Sequence, residues 1–261
     1  MSFLQRVHPE SKIDGFNKFD GTILFFSFVW ACILRNNAQK ILDFGAGRGA
    51  FYYNNTAEKG SLFRKYLQDI RNTGAKVTAC DVDPVVRDHP CSDLQVQIEP
   101  GKALPFKDES FDIVVSDHTF EHIAEPDFFA RELLRILTPG GYICARTPSK
   151  YGYVALISSL IPNRLHTAML RRAQPGRMAE DVFPTVYKLN TLSQIRRHFS
   201  GCDVTHYFFS GEPSYAFGNQ IVYGMLRIFH RLLPGPLNTS VCLFIRKPGR
   251  AQSRQSAPSG S

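Results

Sequence analysis

Ile41-Leu42-Asp43-Phe44-Gly45-Ala46-Gly47-Arg48-Gly49-Ala50 is the stretch on which the fold of this chain turns. A short apolar run that enters a glycine-rich turn reads as a buried strand. Gly45 and Gly47 allow a sharp turn and let a ligand approach the backbone where a Cβ would collide. In an open α/β sheet such a turn lies at the carboxyl ends of the strands, where ligands bind. The G-x-G-x-x-A spacing also satisfies a relaxed dinucleotide fingerprint, and a purely structural glycine turn is the plain alternative.

Outward from this turn, apolar runs alternate with stretches at helical spacing, the pattern of a parallel sheet with helices on both faces. Lys40–Phe44, Lys76–Cys80, Leu94–Ile98, Phe111–Val115 and Tyr142–Arg146 read as five successive strands. Ser61–Thr73 carries Leu62, Phe63, Tyr66, Leu67 and Ile70 on one face, and Glu125–Leu137 carries Phe128, Phe129, Leu133, Leu134 and Leu137, so both read as helices. Thr138-Pro139-Gly140-Gly141 reads as a turn. A short helix over Leu192–Phe199 and two closing strands, Val204–Phe209 and Val241–Arg246, complete the series. Residues 1–37 form an N-terminal helical cap, and 38–246 form the main domain with insertions at 149–190 and 210–239. Residues 247–261 lack apolar periodicity and read as a disordered tail.

The 261 residues suit one large domain or a domain with a substantial insertion. Hydrophobic residues at 43% and charged residues at 21% exclude a disordered, collagen-like or disulfide-scaffold chain. Six cysteines stand isolated, with no C-x-x-C pair, which argues against a thiol-rich zinc site and fits reduced thiols in a cytoplasmic protein. Ile23–Leu34, broken only by Ser27, falls short of the ~20 residues that cross a bilayer. It is also a poor signal peptide, and we read it as a helix that begins after Asp20 and packs onto the main domain.

Two further elements carry chemistry. Cys80-Asp81-Val82-Asp83-Pro84 ends the second strand, where an acidic side chain accepts hydrogen bonds from the ribose hydroxyls of an adenosine ligand. Asp81 is the ribose candidate, whereas Asp83 before Pro84 suits a helix cap. The other element is Leu104-Pro105-Phe106-Lys107-Asp108-Glu109-Ser110-Phe111-Asp112-Ile113-Val114-Val115-Ser116-Asp117, running on through His118-Thr119-Phe120-Glu121-His122.

With Leu137-Thr138-Pro139-Gly140-Gly141, these segments resemble the class I S-adenosylmethionine-dependent methyltransferases, closest to the small-molecule branch that includes quinone-biosynthesis C-methyltransferases. The resemblance covers residues 38–148. It implies an α/β, Rossmann-like, doubly wound seven-stranded sheet with an antiparallel last strand, elaborated by helical lid insertions. It also implies S-adenosylmethionine as cofactor. By the same resemblance, Asp43, Gly45, Ala46 and Gly47 surround its methionine part, Asp81 holds the ribose and Val82 packs on the adenine. Gly101 and Lys102 approach the adenine edge, and Asp117 and His118 lie near the sulfonium. A nicotinamide-dependent dehydrogenase has no reason to show the P-F-x-D-x-S-F-D segment or the L-x-P-G-G turn. The 38 positions from Asp43 to Asp81 exceed the usual unit, so residues 51–60 read as an extra loop.

The reaction then needs an acceptor aligned with the S–CH₃ bond and water excluded. A hydroxyl acceptor also needs a general base, for which His118 and then His166 are the candidates. Glu121-His122 reads as a tie between loop and helix. Phe16–Leu34 reads either as a lid or as core packing, with Phe25, Phe26 and Trp30 as candidate pocket residues. No metal ligands are expected.

Charge is unevenly placed. Residues 1–150 hold 18 basic against 19 acidic residues, and residues 151–261 hold 13 against 4. Arg164, Arg171, Arg172 and Arg177 cluster in the first insertion, suited to an anionic acceptor. The helix over Asn219–Leu233 carries Arg227 and Arg231 opposite an apolar side. Covering the core is the preferred reading, and lying on an anionic membrane surface is the alternative. The expected acceptor is a small molecule, a glycan or a lipid-linked group, taken at oxygen. An RNA methyltransferase using the basic half, and a non-catalytic cofactor-binding protein, are the competing classes. Nucleic acid is disfavoured because no N-P-P-Y-like tetrapeptide or RNA-binding module is present, and nothing in the sequence calls for an obligate protein partner.

Overall fold

The computed structural model describes residues 3–49, 61–153, 185–213 and 218–250. His166, the four arginines of the first insertion, the 51–60 loop and the tail beyond residue 250 lie outside these.

Seven strands form one sheet in the order β3-β2-β1-β4-β5-β7-β6. They are β1 (Lys40–Phe44), β2 (Lys76–Asp81), β3 (Leu94–Gln97), β4 (Phe111–Asp117), β5 (Leu137–Pro148), β6 (Asp203–Phe209) and β7 (Ser240–Arg246). The first five pair in parallel, and β7 runs antiparallel to both β5 and β6. Ile41 and Leu42 are fully buried because β1 is covered on both faces, which is why it reads as a continuous apolar run.

Alternate side chains feed two cores. Leu42, Val114, Leu243 and Ile245 pack with Phe129, Leu133, Ile195 and Phe199. Ile41, Ile113, Val115 and Cys144 pack with Phe25, Val29, Ile33 and Leu67. Helices α1 (Phe3–Val7), α2 (Gly21–Asn36) and α3 (Leu62–Gln68) come from the amino-terminal third, and α2 and α3 cover the second core. Helices α4 (Pro126–Ile136) and α5 (Leu192–His198) cover the first. Helix α6 (Gln220–Leu232) lies in the second insertion.

Helix α2 starts as the sequence indicates: the Asp20 carboxylate accepts from Thr22 N and Ile23 N, both at 3.0 Å. Phe25 and Phe26 are buried in the core and Trp30 donates to Leu67 O, so α2 is core packing rather than an acceptor wall. The helix expected over residues 61–73 is broken. Asp69 caps a separate 3-10 turn at Ile70–Thr73, its carboxylate accepting from Arg71 N, so a local side-chain bond ends α3 early.

The Thr138-Pro139-Gly140-Gly141 segment is not an isolated turn but part of β5, whose pairing with β4 jumps from Phe111–Leu137 to Ile113–Tyr142. A Cβ on Gly141 would stand 2.6 Å from Asp112 O, so only glycine fits this bulge. Lys247, the first residue past β7, is fixed here: its Nζ donates to Leu134 O and Leu137 O at 2.7 Å each.

The Pro-Phe segment ahead of β4 is held from α4. Arg135 donates to Phe106 O, Leu104 O and Asp108 Oδ1, and Glu132 Oε2 accepts from Leu104 N. Asp112 Oδ2 accepts from Gln39 N and Lys40 N and so secures the start of β1. The acidic residues of this segment therefore do structural work at the opposite end of the sheet from the glycine turn.

Candidate functional site

Strands β1, β2 and β4 bring Asp43, Asp81 and Asp117 to the carboxyl edge of the sheet. The glycine turn crosses this edge pinned to β2, with Gly45 N and Ala46 N both donating to Cys80 O, at 2.8 and 3.1 Å. Gly45 has φ +72°, and a Cβ there would stand 2.1 Å from Thr119 Oγ1 on the loop after β4. Gly47 has φ +53°, but a Cβ there would meet nothing within 4 Å. Gly45 is thus glycine for packing, and Gly47 leaves its backbone bare toward open space.

Asp81 closes the turn from below. Its Oδ2 accepts from Gly47 N at 2.8 Å and its Oδ1 from Asp83 N at 2.9 Å. A carboxylate offers about four lone-pair sites, so one on each oxygen stays available to a ligand hydroxyl. Burial raises the Asp81 carboxyl above its ordinary value, against the pull of those two N–H donors. Asp83 caps the Pro84–Asp88 turn through Val85 N at 2.9 Å, as its place before proline indicates.

Asp43 is the electrostatically unusual member. Burial, with Asp117 and then Asp81 adding negative charge, pushes its carboxyl up to about 7. His89 Nε2 stands 4.0 Å from its Oδ2, and burial lowers the His89 imidazole. Asp117 differs because Arg146 grips it twice, Nε to Oδ1 at 2.7 Å and Nη2 to Oδ2 at 2.6 Å. Burial alone would raise Asp117, but Arg146 and then His118 outweigh it and hold the carboxyl below its ordinary value. The Asp117–Arg146 pairing is a direct result of register, since the two residues are partners across β4 and β5.

His118 follows with φ +59°, a left-handed backbone held by its N–H donating to Arg146 O at 2.8 Å. Its half-exposed ring stands between two carboxylates, Nδ1 3.6 Å from Glu121 Oε1 and Nε2 3.8 Å from Asp117 Oδ1. Glu121 is buried and accepts from Thr147 Oγ1 at 2.8 Å. Burial would raise Glu121, but the His118 ring and Thr147 hold it below its ordinary value. Its backbone carbonyl receives Val186 N and Tyr187 N from the far end of the first insertion.

Asp43, Gly45, Ala46, Gly47, Asp81, Asp117 and His118 thus share one edge, with Val82 part-exposed beside Asp81. Gly101 and Lys102 are exposed; Lys102 pairs with Glu99 at 2.5 Å, and the described hydrogen bonds do not join either residue to the turn. Arg146 and Glu121 are members that sequence reasoning missed or gave another task. Among the described residues no cluster of His, Cys, Asp and Glu could hold a metal ion, and the six cysteines are free thiols. Among the described residues, too, no helix is long and apolar enough to cross a membrane.

Comparison with known proteins bears on what this edge is for. Residues 42–145, from the glycine turn to β5, match a family model described as a methyltransferase domain. A demethylmenaquinone methyltransferase of Streptomyces griseus is 32% identical over 146 residues, which are 51% of this chain and 56% of that protein. A phthiotriol/phenolphthiotriol dimycocerosates methyltransferase 1 of Mycobacterium ulcerans is 30% identical over 110 residues, 41% of this chain and 36% of that protein. The match therefore spans about half or less of these relatives. A SAM-dependent methyltransferase of Methanosarcina mazei superposes with TM-score 0.50 at 16% identity, covering 84% of this chain and 98% of that one. The cyclase SpnF superposes with TM-score 0.51 at 16% identity, covering 87% and 82%. At such identities these two structures speak to the fold alone, and a cyclase among them shows that the fold does not fix the reaction. Residues 42–145 thus match a methyltransferase domain, and they lie in a seven-stranded sheet with an antiparallel β7, so in this part the chain is similar to the S-adenosylmethionine-dependent methyltransferases.

Proposed function

We propose that the chain transfers a methyl group from S-adenosylmethionine to a small-molecule, glycan or lipid-linked acceptor, at oxygen. The observation that carries this reading is the set of three carboxylates, Asp43, Asp81 and Asp117, at the edge that the glycine turn crosses, of which, among the described residues, only Asp117 has a bidentate cationic partner. Such a site suits a ligand with its own positive charge. S-adenosylmethionine meets that need with its sulfonium and ammonium groups, and when bound it supplies a methyl group already activated for transfer.

The residues present fit the cofactor. Asp81 keeps a free lone pair on each oxygen for two ribose hydroxyls, and Gly47 leaves room for close approach. Asp43, displaced toward neutrality, returns to its charged form when a cation is brought beside it. His118 is the proton acceptor for a hydroxyl at the mouth of the site. The buried Glu121 orients its ring and stabilises the imidazolium, the part that a carboxylate plays behind a catalytic histidine. An acceptor of small-molecule type accords with the names of the two methyltransferase relatives.

The test is calorimetric titration of S-adenosylmethionine into the protein and its Asp81→Ala variant, with thermal unfolding as the control on folding. Two hydrogen bonds to a charged acceptor are together worth about 3 kcal/mol or more, so affinity should fall roughly 100-fold. Unchanged affinity in a folded variant would remove the cofactor assignment.

A further inference from the structure

Helix α6 is mounted with its polar side inward. Tyr223 and His230 are its buried residues. The Tyr223 hydroxyl donates to Glu212 Oε2 and meets the ring of His8, while His230 Nε2 bonds the Tyr153 hydroxyl at 2.6 Å. The Arg227 guanidinium lies 3.4 Å from the centre of the Phe19 ring. The apolar side faces out: Ile221, Met225, Ile228 and Leu232 are 63–75% exposed. They stand at intervals of four, three and four residues and so form one stripe along the helix. Covering the core, the reading preferred from sequence, is therefore overturned. Rolling the helix to bury the stripe would strip Tyr223 and His230 of their partners, so the polar contacts specify the outward face.

Charge says what covers this face. Helix α6 and its flanks, residues 213–239, contain no acidic residue, and Arg227 and Arg231 are the arginines of the helix. Arg231 is exposed on α6 itself. An outward apolar stripe with an exposed arginine beside it and no acid on its helix is complementary to a surface that is apolar beneath and negative on top. We propose that α6 docks onto an anionic lipid bilayer, with Ile221, Met225, Ile228 and Leu232 entering the acyl boundary and Arg231 meeting lipid phosphates. Its 13 residues span about 20 Å, too short to cross, so it lies in the plane of the interface.

The docked surface adjoins the site. Arg227 covers Phe19, the next residues begin α2, and Thr22 Oγ1 receives Arg146 Nη1 at 3.1 Å beside Asp117. A lipid-anchored acceptor would thus reach the methyl donor from the bilayer. That last step rests on the methyltransferase reading, whereas docking itself does not.

Co-sedimentation of the full chain with vesicles tests the docking. Vesicles of phosphatidylcholine alone are compared with equimolar phosphatidylcholine and phosphatidylglycerol. Partitioning should be at least about tenfold stronger on the anionic vesicles and should weaken with salt. Ile228→Glu with Leu232→Glu should reduce it by about tenfold or more, and Arg231→Glu by about fivefold on anionic vesicles only. Thermal stability and S-adenosylmethionine affinity, measured on the same proteins, should not change. Absence of binding to anionic vesicles, or equal binding by the Ile228/Leu232 variant, overturns the proposal. So does a wild-type dimer that Leu232→Glu splits, because a second copy would then own the stripe. Loss of cofactor affinity in the wild type with vesicle binding intact would instead strike the methyltransferase reading.

Discussion

Replacing Arg146 with Met should destabilise the protein more than replacing Arg146 and Asp117 together. Arg146 makes two charge-assisted bonds to Asp117, at 2.7 and 2.6 Å, with side-chain exposures of only 12% and 25% for the pair. Removing one member of a buried ion pair costs about 3–5 kcal/mol because the remaining charge is stranded. Residual exposure of Asp117 puts the expectation near the lower end, about 3 kcal/mol. The lost Thr22 bond and the lost guanidinium position 5.2 Å over Phe25 add about 1 kcal/mol. At about 2–4 °C per kcal/mol for a domain of this size, Tm should drop by about 8–16 °C. Adding Asp117→Asn removes the stranded charge, and the double variant should recover all but about 1–2 kcal/mol. Urea unfolding of the wild type, both single variants and the double variant at one pH above neutrality measures each step. The reasoning fails if Arg146→Met costs less than about 1 kcal/mol, or if the double variant is no more stable than that single one. A pH series adds a sign. Without Arg146, burial raises Asp117, the fold then binds the proton more tightly than the unfolded chain, and the single variant should regain stability as pH falls.

The two turn glycines should respond differently to Ala. Gly45→Ala drives a Cβ into Thr119 and should lower Tm, whereas Gly47→Ala has space and should cost only about 1 kcal/mol of backbone strain while still weakening cofactor binding; thermal unfolding beside calorimetry separates the two. Asp43, raised to about 7 in the fold from an ordinary value of 3.8, makes the fold bind a proton that the unfolded chain has released. Stability should therefore decline as pH rises from about 4 to about 7, a slope that Asp43→Asn should flatten in denaturant titrations. Cofactor binding near neutrality should also release protons, seen as a dependence of the observed heat on buffer ionisation enthalpy, and lost in Asp43→Asn. His118→Asn, which tolerates the left-handed backbone, should lower kcat by about a hundredfold with cofactor affinity intact; an unaltered kcat would end its candidacy as base.

The sheet was legible in the sequence because its central strands, β1, β4 and β7 among them, are buried on both faces and punctuated by glycine and proline. Lys40–Phe44 is observed as expected, and β7 differs from expectation by one residue at its start. That Gly45, Gly47 and Asp81 meet at one edge was legible for a related reason: they belong to local turns whose chemistry is written in adjacent residues. Arg146 was not legible as the partner of Asp117. Their meeting depends on the register of β4 against β5, which the bulge at Thr138-Pro139-Gly140-Gly141 sets and no spacing rule encodes. Glu121 was read as a loop tie, yet the fold also directs its carboxylate to His118, because the loop after β4 folds back beneath its own first residue. The orientation of α6 was misread since its hydrophobic period says which residues share a side, not which side is inward. Three polar groups from other segments, His8, Tyr153 and Glu212, and the Phe19 ring beneath Arg227 decide that.

Strand order carries a consequence for how the chain acquires its shape. The last strand along the sequence, β7, sits between β5 and β6, and β6 pairs with β7 alone among the described strands. During synthesis β6 therefore emerges with no template beside it, and its seven residues must wait for Ser240–Arg246 to arrive. The same arrival brings Lys247 to the open carbonyls of Leu134 and Leu137, more than a hundred residues upstream. A nascent chain stalled before residue 240 should thus hold the β1–β5 half in a protease-resistant form while Asp203–Phe209 is still cut, and release of the next ten residues should protect both together.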